Sequence, residues 1–273
     1  MHPILFEIGP LQVRAYGTAV LVGFLVGLAY AVAAARRQLA RRPPRGCHPI
    51  TPEHTFDFAV GALLVSVLGA RALYVALDWH EFRDNPLEVL RFWTGGLSVH
   101  GAILAGLAYM AWFCRRRKLS FPGLADICAP AFTLGYVFGR IGCFLNGCCY
   151  GAASELPWAM QFAAEGAVGH LTVPSHPAQL YAGALSLISF AILHLWSRRP
   201  HRRGEILLGC LLIYATSRYI AEEFRAGATA NLLAFGITHA QAISLAAIPV
   251  LALLLVRLRR ARVDPQEEAP EEA

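Results

Sequence analysis

The chain has 273 residues, of which 56% are hydrophobic and only 15% charged. Soluble domains carry about 25% charged residues; with a mean hydropathy of +0.47, this composition argues against an ordinary soluble domain and for lipid as the solvent. The net charge of +6 raises the question of a nucleic acid partner. None is expected, because the basic residues sit in short clusters between apolar runs, the pattern that orients a protein in a membrane.

The start of the chain, Met1-His2-Pro3, lacks the basic region of a cleavable signal peptide, and the first apolar run is long enough to remain in the bilayer. A helical span needs about 20 mostly apolar residues. Seven runs qualify: Tyr16 to Ala35, Phe56 to Leu77, Leu97 to Cys114, Leu124 to Ile141, Ala178 to Trp196, Glu205 to Glu222 and His239 to Val256. The third and fourth are short and rich in Gly, Ala and Pro, which suits close helix approach and also allows a re-entrant segment.

The linkers alternate in charge. The first carries Arg36, Arg37, Arg41, Arg42 and Arg45; the third carries Arg115, Arg116, Arg117 and Lys118; the fifth carries Arg198, Arg199, Arg202 and Arg203; the C-terminal segment carries Arg257, Arg259, Arg260 and Arg262. The intervening linkers lack such clusters. By the positive-inside rule the N-terminus faces out and the C-terminus faces the cytoplasm. The expected fold class is therefore an all-α integral membrane protein with seven transmembrane helices. A small external cap is expected over about residues 144–177, within a membrane domain spanning 1–263. The acidic, Pro-containing tail 264–273 reads as disordered. No internal repeat is visible, which disfavours a transporter.

Ionisable residues inside spans are costly and must face one another or a wet cavity. Arg71, Asp126, Arg140, Arg218 and Glu222 are such residues. Arg71 and Asp126 read best as members of structural ion pairs. Arg218 lies about 20 Å along its helix from Glu205, which puts it near the outer level of Arg140, His100 and Tyr16. Tyr214, Arg218 and Glu222 repeat at i, i+4, i+8, with Arg225 just beyond, and share one helix face. Tyr16 and Tyr214 read equally well as interfacial aromatics, and His100 as a packing histidine. The seven cysteines form no CxxC pair, so no zinc knuckle or thioredoxin motif is supported; no metal and no cofactor are expected.

Taken in order, His2-Pro3, Gly9-Pro10, Arg14-Ala15-Tyr16-Gly17, Gly95-Gly96-Leu97-Ser98-Val99-His100-Gly101, Gly139-Arg140-Ile141-Gly142, His176-Pro177-Ala178-Gln179-Leu180-Tyr181, and the set Tyr214, Arg218, Glu222 and Arg225 resemble the prolipoprotein diacylglyceryl transferases over nearly the whole chain. Three positions depart from that family's pattern. Cys143 stands where the signature usually has Asn, Cys148 where it has Glu, and Ala182 where the His-Pro motif usually ends in Glu. On the outer face a Cys143–Cys148 disulfide is one way to replace the lost polar contacts.

The resemblance implies transfer of a diacylglyceryl group from phosphatidylglycerol to the lipobox cysteine of a prolipoprotein signal peptide, in the bacterial cytoplasmic membrane, with the site toward the outer face. It implies catalytic roles for His100, Arg140 and Arg218. Arg140 and Arg218 would hold phosphate and His100 would either take the thiol proton or position the donor. Tyr16, Asn146, Gly147, Tyr214, Glu222 and Arg225 would bind substrate. Two other readings stay open: a relative that binds lipid or prolipoprotein without turnover, and a membrane thiol–disulfide protein using Cys143, Cys148 and Cys149.

Overall fold

A computed structural model describes residues 4–8, 11–39, 43–44, 46–91, 95–162, 171–225 and 237–260. The acidic tail and the segments His2-Pro3 and Gly9-Pro10 lie outside them. An antiparallel hairpin, β1 (Ile4–Ile8) and β2 (Leu11–Arg14), precedes seven helices: α1 (Ala15–Gln38), α2 (Pro52–Leu77), α3 (Val99–Arg117), α4 (Phe121–Asn146), α5 (Ala178–Ser197), α6 (Glu205–Glu222) and α7 (His239–Arg260). The seven apolar runs thus each become one helix. Five of them, α1, α2, α4, α5 and α7, are long and apolar enough to cross a membrane. The hairpin is an addition to the all-helical expectation.

Large apolar side chains cover the outside. Leu64, Leu68, Leu104 and Ile243 are more than 60% exposed. Apolar surface on that scale is unfavourable in water, and it is what a lipid-facing helix presents. The chain divides into two compact units: one comprises residues 1–31 and 125–273, the other 32–124.

In the first unit, small residues let α1 and α4 approach. A Cβ placed on Gly23 would come within 2.8 Å of the Gly135 carbonyl oxygen, and one on Gly27 within 3.0 Å of that of Ala131. In lipid, close approach of this kind replaces the hydrophobic drive for helix association. One end of the unit is fixed by buried acids. The Asp126 carboxylate on α4 accepts from the backbone N–H groups of Gly204 (2.6 Å) and Leu207 (2.8 Å), so it caps the positive end of α6. Glu205 accepts from Trp196 Nε1 (2.9 Å) and from Arg259 Nη2 (2.7 Å). At the opposite end, Thr238 and Gln241 start α7 with a reciprocal capping box. Gln241 also donates to Glu223 at the end of α6. Asp126 and Arg140 are 14 positions apart on α4, about 21 Å at 1.5 Å per residue, so two polar ends bracket an apolar middle.

In the second unit, α2 begins at a capping box in which Thr51 and His54 satisfy each other's backbone N–H groups, with Pro52 in the first turn. Phe58 stacks on Tyr109, centroids 5.9 Å apart, and tilts against Phe113. Arg71 is buried, and its guanidinium donates to four carbonyls of the α2–α3 connection: Glu88 (2.6 Å), Val89 (2.9 Å), Gly95 (2.9 Å) and Gly96 (3.0 Å). The ring of Phe82 lies 5.0 Å beneath it. The ion-pair reading of Arg71 is therefore corrected. Arg71 acts as a hub for loop carbonyls and Asp126 as a helix cap, roles set by backbone groups that carry no sequence signal.

Hydrogen bonds to a charged donor contribute about 1.5–3 kcal/mol each, and orphaned buried carbonyls add a penalty. Arg71→Ala is expected to cost more than about 3 kcal/mol and to open residues 78–98 to limited proteolysis.

Candidate active site

The site assembles in the first unit, at the end where α4 and α6 finish. Helix α4 ends in a Schellman motif. The Cys148 N–H donates to the Cys143 carbonyl (3.2 Å), the Gly147 N–H donates to that of Phe144 (3.1 Å), and Gly147 has φ +77°. These are the 6→1 and 5→2 bonds of that cap, with glycine at its left-handed position. This explains Gly147: a side chain there would meet the left-handed penalty. Asn146 is the last helical residue and is exposed.

The loops after α4 form a cap with α5 and the end of α6. Gly151 donates to the His176 carbonyl (2.8 Å), His176 to that of Ala152 (2.9 Å) and Ala152 to that of Phe224 (3.0 Å). A Cβ on Gly151 would collide with the Phe224 carbonyl and the His176 side chain, so only glycine permits this junction. The His-Pro motif supplies the glue. Gln179 is fully buried and donates to the Cys148 carbonyl (2.7 Å). The Tyr181 hydroxyl accepts from Trp158 Nε1 (2.8 Å) and lies 3.3 Å from His176 Nδ1. These contacts tie together the described residues on both flanks of residues 163–170.

Two arginines face this region. Arg140 donates to the Tyr136 hydroxyl one turn back, and its guanidinium lies 4.5 Å from that ring's centroid. Arg218 pairs with Glu222 across one turn of α6. The Glu222 side chain is 1% exposed and that of Arg218 23%, so the acid is buried and the guanidinium reaches outward. The second Glu222 oxygen, Oε1, has no hydrogen-bond partner among the described residues. Tyr214 lies in the electrostatic field of Tyr136, Arg218, Arg140 and Arg225. Tyr16 lies in that of Cys143, Cys148, Cys149 and Arg140, with its backbone against Gly142, where a Cβ would come within 3.2 Å. Arg225 joins the cap through a bridge to Gly151.

The structure thus gathers Tyr16, Arg140, Asn146, Gly147, Tyr214, Arg218, Glu222 and Arg225 in one unit. His100 belongs to the other unit, exposed in the first turn of α3. Sequence reasoning missed Tyr136, which a one-turn offset from Arg140 would have flagged, and Gln179 as the clamp of the helix-end turn.

The cysteines also differ from expectation. All seven are free thiols, so no Cys143–Cys148 bridge is present. The sulfurs of Cys143, Cys148 and Cys149 lie within 4.8 Å of one another, which corrects the inference from spacing that the chain holds no metal-ligand cluster. Hydrogen bonds from the Cys143 and Cys148 thiols hold the Cys149 thiol below its ordinary range, and Arg140 and Arg225 act in the same direction.

The arrangement offers cations for a phosphate, hydroxyls for a polyol head group and an apolar surround for acyl chains. Residues 3–257 match the family described as Prolipoprotein diacylglyceryl transferase. Among curated proteins, the chain is 37% identical over 272 residues to a phosphatidylglycerol–prolipoprotein diacylglyceryl transferase of Rhodospirillum rubrum, covering 96% of this chain and 94% of that one. It is 37% identical over 227 residues to the protein of that name from Photobacterium profundum (82% and 80%), and 35% identical over 260 residues to that of Vibrio cholerae (94% and 91%). The gathered arginines and tyrosines, the seven helices and the near full-length match lead to one conclusion: the chain belongs to the prolipoprotein diacylglyceryl transferase family.

Proposed function

We propose that this protein transfers the diacylglyceryl group of phosphatidylglycerol to the lipobox cysteine of prolipoprotein signal peptides, at the outer face of the bacterial cytoplasmic membrane. Its seven helices all span, with the N-terminus outside. The observation that supports this best is the convergence of Arg140 with Tyr136, and of Arg218 with Glu222, in the same unit under the loop cap. In the reaction the acceptor sulfur attacks the terminal glyceryl carbon. A C–S thioether bond forms, the C–O bond to phosphate breaks, and the electron pair leaves with glycerol phosphate.

Arg140 and Arg218 neutralise the charge that develops on the phosphate, and the planar guanidinium fork suits its paired oxygens. Glu222 orients Arg218; Tyr16, Asn146 and Tyr214 contact the head group; Arg225 stands at the entrance. A thiol is a poor nucleophile until it is deprotonated, and His100 is the residue assigned to accept that proton.

The test uses full-length protein in detergent with phosphatidylglycerol and a lipobox peptide. Release of glycerol phosphate must accompany a diacylglyceryl mass gain on the peptide cysteine. With His100→Ala the rate is expected to fall by about 10²–10⁴. A rate within a few-fold of the unsubstituted protein would remove His100 from the chemistry, and absence of both products would refute the proposed reaction.

A further inference from the structure

The three cysteines after Arg140 are unexplained by the transfer reaction, which needs cations and hydroxyls at this end of α4 and not thiols. Their convergence is a product of backbone geometry. The 6→1 bond of the Schellman motif folds Cys148 back over Cys143 (3.2 Å), and the Cys148 sulfur lies 3.7 Å from the Cys143 carbonyl oxygen. In most such caps these two positions hold an apolar contact, which two small side chains would satisfy without a third.

The third thiol arrives only because Cys149 takes the left-handed conformation, φ +62°, at a cost of about 1–2 kcal/mol for a residue with a Cβ. Conformations of that kind persist where the surroundings over-determine them. Here the Gln179 amide, completely buried, holds the Cys148 carbonyl at 2.7 Å.

A disulfide fits this arrangement poorly. Bridging the adjacent Cys148 and Cys149 is strained, and any single bridge leaves one thiol over. A single ion uses all three. With metal–sulfur bonds of about 2.3 Å, three thiolates around one ion lie about 4 Å apart, which agrees with sulfurs within 4.8 Å of one another. Thiolate ligands select soft cations over Mg²⁺ or Ca²⁺. Three thiolates on a mono- or divalent ion leave net negative charge, and Arg140 and Arg225 are the cations in the field of Cys149.

We propose that Cys143, Cys148 and Cys149 form a three-thiolate site for one thiophilic d¹⁰ cation, Zn²⁺ or Cu⁺, which braces the turn after α4 one helical turn beyond Arg140. Its role is structural, and it does not depend on the identity of the lipid donor. Zn²⁺ would complete its shell with a fourth, oxygen ligand; Cu⁺ would be trigonal.

The full-length protein in detergent, reduced and stripped with chelator, is titrated anaerobically with Zn²⁺ in one arm and Cu⁺ in the other. Metal content is measured by mass spectrometry and thiol accessibility by alkylation mapped to peptides. The expected result in at least one arm is one ion per chain, with ultraviolet charge-transfer absorption and protection of all three thiols. Cys148→Ser should abolish binding and Cys210→Ser should retain it. Protection in the unsubstituted protein is read directly, so the test survives a variant that fails to fold. No stoichiometric ion in either arm would overturn the proposal. So would a peptide containing a Cys143–Cys148 or Cys148–Cys149 disulfide, recovered from protein purified without reductant, that resists metal loading after reduction.

Discussion

Replacing Arg140 with alanine is expected to lower the turnover of diacylglyceryl transfer by about 10²–10³, the usual consequence of removing one preorganised group that stabilises developing oxyanion charge. Arg140 stands in the last turns of α4, steadied by Tyr136. Its effect should fall mainly on kcat, because charge builds on the departing phosphate as the C–O bond breaks. Arg140→Lys retains the charge but not the fork and should recover only part of the rate. Tyr136→Phe keeps the ring and removes the hydroxyl, so it isolates positioning from charge. Turnover of Arg140→Ala within a few-fold of the unsubstituted protein, measured as glycerol phosphate release, would remove Arg140 from the chemistry.

The second large effect concerns stability. Arg218→Ala strips the ion-pair partner found among the described residues from the Glu222 side chain, which is 1% exposed, and breaking a buried pair from one side costs about 3–5 kcal/mol. The midpoint of thermal unfolding in detergent should fall by several degrees. Glu222→Gln should be milder, because the Arg218 side chain is 23% exposed and can turn to water or lipid phosphate. The double variant, Arg218→Ala with Glu222→Gln, should recover much of the lost stability and none of the turnover. That separation matters, since it distinguishes an arginine that holds phosphate from one that merely neutralises a buried acid. Recovery of both would assign the pair to the fold alone.

The helices were legible because each depends on a long local pattern. Runs of apolar residues bounded by arginine clusters gave all seven to within a few residues at most ends. The site was legible where it followed helical spacing: Tyr214, Arg218 and Glu222 share a face because 3.6 residues make a turn. What escaped was set by backbone conformation. Arg71 and Asp126 announce only that a charge is buried; that carbonyls surround Arg71 and that N–H groups reach Asp126 emerges once the loop and the start of α6 are in place. The cysteine cluster was invisible for the same reason. A C-x4-C-C spacing matches no metal motif in extended or helical chain, and it converges through a glycine cap followed by a left-handed cysteine. Gln179 was recognised as part of a motif, but the carbonyl it holds is 31 positions away.

The pairing of Arg218 with Glu222 lies within a single helix, and that bears on biogenesis. Of the seven helices, α3 and α6 fall short of the apolar standard met by the other five, and α6 carries both of these charges. Each would oppose entry from the translocon by about 2.5–3.5 kcal/mol if exposed singly at the helix centre. A contact between residues four apart needs no neighbour; it exists as soon as the nascent segment coils. In a seven-span arrangement the segment would meet the bilayer with this pair of charges already matched. What remains for α7 is to dock through Gln241 against Glu223 at the end of α6.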